Sequence, residues 1–257
     1  MKLYQIMILV CAMVAHSYTN AQTNEQKIYP VHPSKMDEFN ARTGGLVYPP
    51  KNAKSLLFFD ARSENKPVLE KFTTHAERML FISIDVKRES LKKNAEPKDV
   101  AFKEKEKGAG AVVLMYEKKG DPILSVFPED AIVLVNFEPL KCSDANKFSR
   151  RFATEFWRSI AFSMGGYAAG SQMGSSLQPI FSVADFDSLK GAGLSPMQIA
   201  AINEAKSKLS IFSRNAVPYS RACREGWAPA PTNAVQRKYY DRFVNPSLRL
   251  TNDLKSK

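Results

Sequence analysis

The chain has 257 residues, a formal net charge of +11, 44% hydrophobic residues and 25% charged residues. That composition is ordinary for a globular protein and excludes a disordered, collagenous or disulfide-dense chain. Three His and three Cys leave little material for metal or thiol chemistry, and the length suffices for a sizeable core.

Residues 1–21 read MKLYQIMILVCAMVAHSYTNA. Lys2 gives a positive start, residues 6–15 are almost wholly apolar, and Thr19-Asn20-Ala21 offers small side chains before Gln22. This is the pattern of a secretory signal peptide, so the expectation is an exported protein, periplasmic or extracellular. An uncleaved anchor is the alternative; Val10 before Cys11 is too bulky for a lipoprotein signal. Cleavage after Ala21 leaves +10, two His (His32, His75) and two Cys (Cys142, Cys223). In an oxidising compartment those two Cys can pair; two separate thiols are the alternative.

Residues 22–54 are polar and broken by Pro30, Pro33, Gly44-Gly45 and Pro49-Pro50, and read as an extended arm without an element. Residues 55–60 (SLLFFD) form a short apolar run, a buried strand. A helix follows over 67–79, with Val68, Leu69, Phe72, Ala76 and Met79 at helical spacing and Pro67 in its first turn. Residues 80–86 (LFISIDV) read as a strand, 98–107 as a charged helix touching the core through Val100, Ala101 and Phe102, and 110–116 (GAVVLMY) as a third strand. Strand and helix alternation predicts parallel strands with helical crossovers. Residues 123–127 (ILSVF), between Pro122 and Pro128, suit an edge strand that can run antiparallel. Residues 131–136 (AIVLVN) complete five short strands.

A long helix comes next, capped by Ser143 or Asp144. Phe148, Phe152, Phe156, Ile160 and Met164 recur every four residues as a core stripe, ending near Gly165-Gly166. Residues 165–176 form a glycine- and serine-rich loop. Ser182 with Asp185, and Ser195-Pro196 with Gln198, are capping boxes opening a short helix and one running to about Leu209. Beyond Arg214 the chain reads as loop, with one turn over 236–243. The expected architecture is therefore a small, mostly parallel five-stranded α/β sheet over residues 55–214, with an edge strand, helices on its faces and a helical C-terminal part. A basic, loop-rich tail is expected over 215–257.

Residues 206–257 hold eleven Lys/Arg and three acids, +8 of the mature +10. With Trp227, Tyr239 and Tyr240 interleaved, such a tail suits an acidic polysaccharide, an anionic membrane surface or a peptide. Export ranks nucleic acid last. A solvated tail serving solubility is the bland alternative.

Familiar catalytic patterns are missing. No phosphate loop occurs, and Gly108-Ala109-Gly110 lacks the third glycine of the dinucleotide fingerprint and precedes its strand. No C-x-x-C and no G-x-S-x-G is present. His32, His75 and two distant Cys are a poor supply for zinc, and no cofactor is expected. His75, near the apolar face of its helix, reads as half-buried. Cys223, between Arg221 and Arg224, would have a lowered pKa and could serve as a nucleophile with His32 or His75; a disulfide or a buried thiol is the alternative.

The order of elements resembles the upper half of metzincin-type zinc proteases, whose last long helix carries H-E-x-x-H-x-x-G-x-x-H. Residues 150–189 look like the archaemetzincin branch: a long helix, a short loop, then Leu177-Gln178-Pro179-Ile180-Phe181-Ser182 with Asp185 and Asp187 after it. The family spacing lays the ligand positions on Arg158, Phe162 and Ala168, the general base on Ser159 and the glycine on Gly165. The family's turn methionine is absent. Arginine is a fixed cation, Phe and Ala offer no donor atom, and no carboxylate stands ready to activate water. The resemblance thus implies a zinc-less, proteolytically inactive relative. Its cleft candidates are Arg158, Ser159, Phe162 and Gln172, with Trp227 nearby. A second resemblance covers residues 221–233 (RACREGWAPAPTN), which look like a segment of uncharacterised secreted proteins of verrucomicrobial-type bacteria and bring no activity. Two alternatives stay open: a hydrolase with unrecognised groups, Cys223 among them, and a structural envelope component.

Overall fold

The computed structural model describes residues 33–63, 69–166, 176–178, 180, 182–189, 191 and 193–245. The chain divides into two units, Met1–Ala41 and Arg42–Lys257. In the first, the described residues belong to helix α1 (Pro33–Thr43), so the stretch expected as an extended arm contains a helix. The segment expected as a signal peptide, residues 1–21, lies outside the described residues, as do His32 and Pro67.

The second unit is an α/β fold around a five-stranded sheet in the order β3 (Ile84–Arg88), β2 (Leu56–Asp60), β4 (Ala111–Tyr116), β6 (Ile132–Asn136) and β5 (Leu124–Phe127). All neighbours are parallel except β5, which pairs antiparallel with β6 as the edge strand. Helices α2 (Leu69–Leu80) and α3 (Pro97–Glu106) are the crossovers. The central strands read as continuous apolar runs because both faces are covered. Leu56, Phe58, Val113, Met115, Val133 and Val135 enter one core; Phe59, Val112, Leu114, Ile132 and Leu134 enter the other. A one-residue slip would exchange the two sets, so the pleat fixes the register.

Helix α4 (Ala145–Ser163) covers the larger core. Asp144, not Ser143, is its cap: the carboxylate accepts from the backbone N–H of Asn146 and Lys147. Phe152, Phe156, Ile160 and Met164 are fully buried, and Phe156 stacks on Phe58 with ring centroids 5.1 Å apart. The chain leaves α4 through Gly165, whose φ of +73° favours glycine. Both capping boxes form, Ser182 opening α5 (Val183–Ser188) and Ser195 opening α6 (Pro196–Lys208).

Three expectations need correction. The strand predicted over 80–86 begins at Ile84, because Leu80 is the buried last residue of α2 and Phe81 turns left-handed at φ 53°. Leu46–Val47, inside the supposed arm, forms β1 and pairs antiparallel with β7 (Val217–Pro218). The supposed loop-rich tail holds α7 (Tyr219–Arg224) and α8 (Ala234–Phe243), the latter capped by Asn233. Tyr219 is fully buried and donates to the Pro229 carbonyl at 2.8 Å. Gln236 Nε2 donates to the Gly44 carbonyl at 2.7 Å. Gly44 sits at φ +82°, and a Cβ there would lie 2.9 Å from Gln236 Cγ, so this approach requires glycine.

A buried lysine ties these parts together. Lys206, on α6, is 0% exposed. Its Nζ donates to the carbonyls of Leu80 and Phe81 at the end of α2, and pairs with Glu225 at 2.7 Å beyond α7. Glu225 also receives Arg221 and, at 2.7 Å, the indole N–H of Trp227. Burial pulls the Lys206 ammonium pKa down to about 8 against the pull of Glu225. Lys206→Ala should lower the unfolding free energy by about 3–5 kcal/mol, because Glu225 and two carbonyls lose their shared donor. Lys206→Met combined with Glu225→Gln should recover most of that loss. Urea denaturation of the two variants measures both values.

Candidate functional site

Helix α4 carries three of the cleft candidates on its second half. Arg158 is 7% exposed, and Ser159 is fully buried. The Arg158 Nε donates to Glu155 Oε2 at 3.1 Å, one helical turn back. Its Nη1 donates to the Ser176 carbonyl at 2.8 Å and the Gln178 carbonyl at 3.0 Å. The guanidinium also lies 5.5 Å from the Phe162 ring centroid and 5.9 Å from that of Phe186. Arg158 therefore fastens residues 176–178 and α5 against α4. Ser159 Oγ donates to its own helix, to the Phe156 carbonyl at 2.8 Å, and faces no open space. Phe162 is half-buried against the larger core.

Glu155 is the residue the sequence reading missed. Its carboxylate is 0% exposed, and Oε1, like Ser176 Oγ, is buried without a hydrogen-bond partner. Burial raises its pKa to about 7, with the charge and hydrogen bond of Arg158 pulling the other way. The available signal was an acid three residues before an arginine, flanked by the apolar stripe of Phe152 and Phe156. A second clamp holds the first half of the helix. Arg151 grips Asp187 of α5 with both arms, at 2.8 and 2.7 Å, and Lys147 adds a contact at 2.8 Å. Together they hold the Asp187 carboxyl far below the usual carboxylate range.

The remaining candidates do not join this group. Gln172 and Ala168 lie outside the described residues. Trp227 is half-buried elsewhere, bonded to Glu225 and packed on Phe212 with ring centroids 5.5 Å apart. His75 is exposed, not half-buried, and meets Trp157 edge-on at 5.8 Å.

Of the two readings of the cysteines, separate thiols is the one seen: both are free, Cys142 exposed ahead of α4 and Cys223 buried on α7. The Cys223 thiol is pushed up by burial, with a hydrogen bond to Tyr219 opposing it. Its arginine neighbours do not make a thiolate because both are engaged elsewhere. Arg221 binds Glu225 and Asn203, and Arg224 binds the Ser220 carbonyl.

Among the described residues no group of three or more His, Cys, Asp or Glu could hold a metal ion. The tail's charge is partly engaged: Lys206 and Arg221 go to Glu225, and Arg214 grips Asp85 at 2.6 and 2.7 Å. Arg224, Arg237, Lys238 and Arg242 are exposed.

No protein-family profile matches the chain, and no curated protein matches it. Solved structures do. An archaemetzincin from Methanopyrus kandleri is 14% identical, with a TM-score of 0.44 over 62% of this chain and 98% of that one. An archaemetzincin from Archaeoglobus fulgidus, complexed with malonate, is 11% identical, with a TM-score of 0.40 over 57% and 99%. A zinc-dependent peptidase from Methanocorpusculum labreanum gives 11%, 0.40, 57% and 98%. At these values no activity carries over. Among the described residues of α4, Arg158 is a cation already bound to a carboxylate and two carbonyls, and Phe162 has no donor atom, so neither can ligate a metal.

Two measurements follow from this geometry. The folded state binds the Glu155 proton more tightly than the unfolded chain does. Stability from this group is therefore complete below about pH 4.5 and is lost as pH rises through about 7. Denaturant unfolding between about pH 4.5 and about pH 8 should show wild type falling relative to Glu155→Gln, by at most ~3 kcal/mol. A disulfide-exchange thiol reagent should label Cys142 at once in the native chain lacking residues 1–21, and Cys223 only after denaturant is added.

Proposed function

We propose that this chain is a non-catalytic, exported binding module of α/β fold that works without zinc. The observation that carries the reading is the engagement of Arg158. Where a zinc-protease helix would place its first ligand, this helix has a guanidinium bonded to Glu155, Ser176 and Gln178. A buried arginine with a carboxylate and two carbonyls fastens a loop; it neither ligates a metal nor accepts a proton. Ser159, at the position of the family's general base, is equally confined by its bond to the Phe156 carbonyl. The surface retains what binding needs, an excess of cationic side chains on and around the C-terminal helices.

The reading is tested by metal analysis of the full chain, purified without chelator or affinity tag, with peptidase assays on casein and on mixed peptides. The expected result is far less than one zinc per chain and no hydrolysis above a heat-killed control. Zinc near one per chain, or hydrolysis abolished by chelation, would overturn it. Hydrolysis lost in a folded Cys223→Ser variant would instead favour a thiol hydrolase.

A further inference from the structure

The end of α2 carries an unusual residue. Helices that finish with a left-handed residue normally place glycine there, because a Cβ costs about 1–2 kcal/mol. Here the position holds Phe81, at φ 53°. The strain is maintained from outside, by Lys206 Nζ binding the carbonyls of Leu80 and Phe81. The ring is not buried in return: Phe81 is 36% exposed. One face of it is covered by the Arg221 guanidinium, 4.4 Å from the centroid.

Phe81 lines a surface cavity of about 520 Å³, together with Thr74, Arg78, Ser213, Arg214 and Asn215. That volume lies in the range of small-molecule sites, roughly 300–1,000 Å³. Thr74 and Arg78 come from α2, and the other three from the segment leading to β7. Beside the apolar Ile82, Ala216 and Val217, the lining offers hydroxyl and amide side chains that donate and accept, two arginines and one aromatic ring. Arg78 is exposed and forms no ion pair among the described residues, while Arg214 keeps Nη1 and Nε beyond its grip on Asp85. The single acid in the lining, Glu77, already accepts from the Ile84 N–H at 2.9 Å.

We infer that this cavity is a binding site for a carboxylate-bearing saccharide. The C–H face of a pyranose ring carries partial positive charge and stacks on the negative face of an aromatic ring. Phe81 is the aromatic ring in the cavity lining. Thr74, Ser213 and Asn215 supply hydrogen bonds for ring hydroxyls, and Arg78 supplies a planar fork for a uronate carboxylate. A glycine would satisfy the helix end better and would leave the cavity without its platform. The inference deepens the binding-module reading by naming a ligand class, yet it stands apart from α4.

The experiment is calorimetric titration of the full chain with trisaccharides of galacturonate and glucuronate, their neutral galactose and glucose counterparts, adenosine monophosphate and benzoate. Uronate trisaccharides should bind at least about ten-fold more tightly than the neutral ones. Phe81→Gly should lower that affinity about ten-fold or more while the melting temperature holds or rises, since glycine suits the left-handed position. Arg78→Gln should reduce uronate binding to the neutral level and leave neutral binding unchanged. Absence of saccharide binding, affinity that survives Phe81→Gly, or tighter binding of the nucleotide or benzoate would each overturn the assignment. Zinc or peptidase activity would overturn the non-catalytic reading and leave this titration to decide the cavity by itself.

Discussion

One buried charge organises the second unit. Lys206 has no access to water, and a lone ammonium in that position would be prohibitively costly. It is tolerated because three groups converge on it: the Glu225 carboxylate, the carbonyl of Leu80 at the end of a crossover helix and that of Phe81 just after it. Each of those groups has its own need. The carbonyls at a helix end lack intrahelical donors, and a buried carboxylate lacks a counter-ion. The network satisfies all of them and joins the end of α2 to α6 and the segment beyond α7, more than a hundred positions later. It also holds the backbone of Phe81 and, through Glu225, the indole of Trp227. A residue that composition counts as part of a solvated basic tail is in fact a core residue.

Helix α4 obeys the same rule at a second place. Its apolar stripe supplies the packing energy, while two arginines set what can lie against it. Arg151 fixes α5 through Asp187, and Arg158 fixes residues 176–178. The Arg158 pair is less well satisfied, since Glu155 Oε1 and Ser176 Oγ stay unpaired in the interior. Buried pairs of this kind contribute little net stability beside a hydrophobic alternative, but losing one partner is severe.

Much of the architecture was legible. Both faces of β4 and β6 are covered, so their sequences are apolar throughout. The prolines around 123–127 announced an edge, and the four-residue recurrence of Phe152, Phe156 and Ile160 announced the long helix. Capping residues marked its start and the starts of α5 and α6, because caps act over three or four residues. Features set by distant partners were not legible. The two-residue pairing of Leu46–Val47 with Val217–Pro218 has no periodicity to detect. The start of β3 depended on Lys206, over a hundred positions away. Charge counting misplaced Arg221 and Lys206, since sequence shows a charge but not its neighbour. The candidate site divided in the same way: Arg158 and Phe162 could be singled out from their place on the long helix, whereas Glu155 became visible only through burial.

The pairing of β1 with β7 has a consequence for how the chain becomes a protein. Gly44 and Gln236 lie 192 positions apart and share a hydrogen bond, so the earliest strand of this unit finds its partner only after the whole five-stranded sheet has been made. Until then Leu46–Val47 is an open edge, and its neighbour Tyr48 is exposed. A chain emerging in order from a ribosome can assemble its parallel sheet early but must carry that edge unpaired. Completion is a ring closure, and its entropic cost grows only slowly with loop length. The exposure is therefore chiefly a matter of time: the nascent chain is vulnerable to proteases and to wrong partners until β7 and α8 have been made.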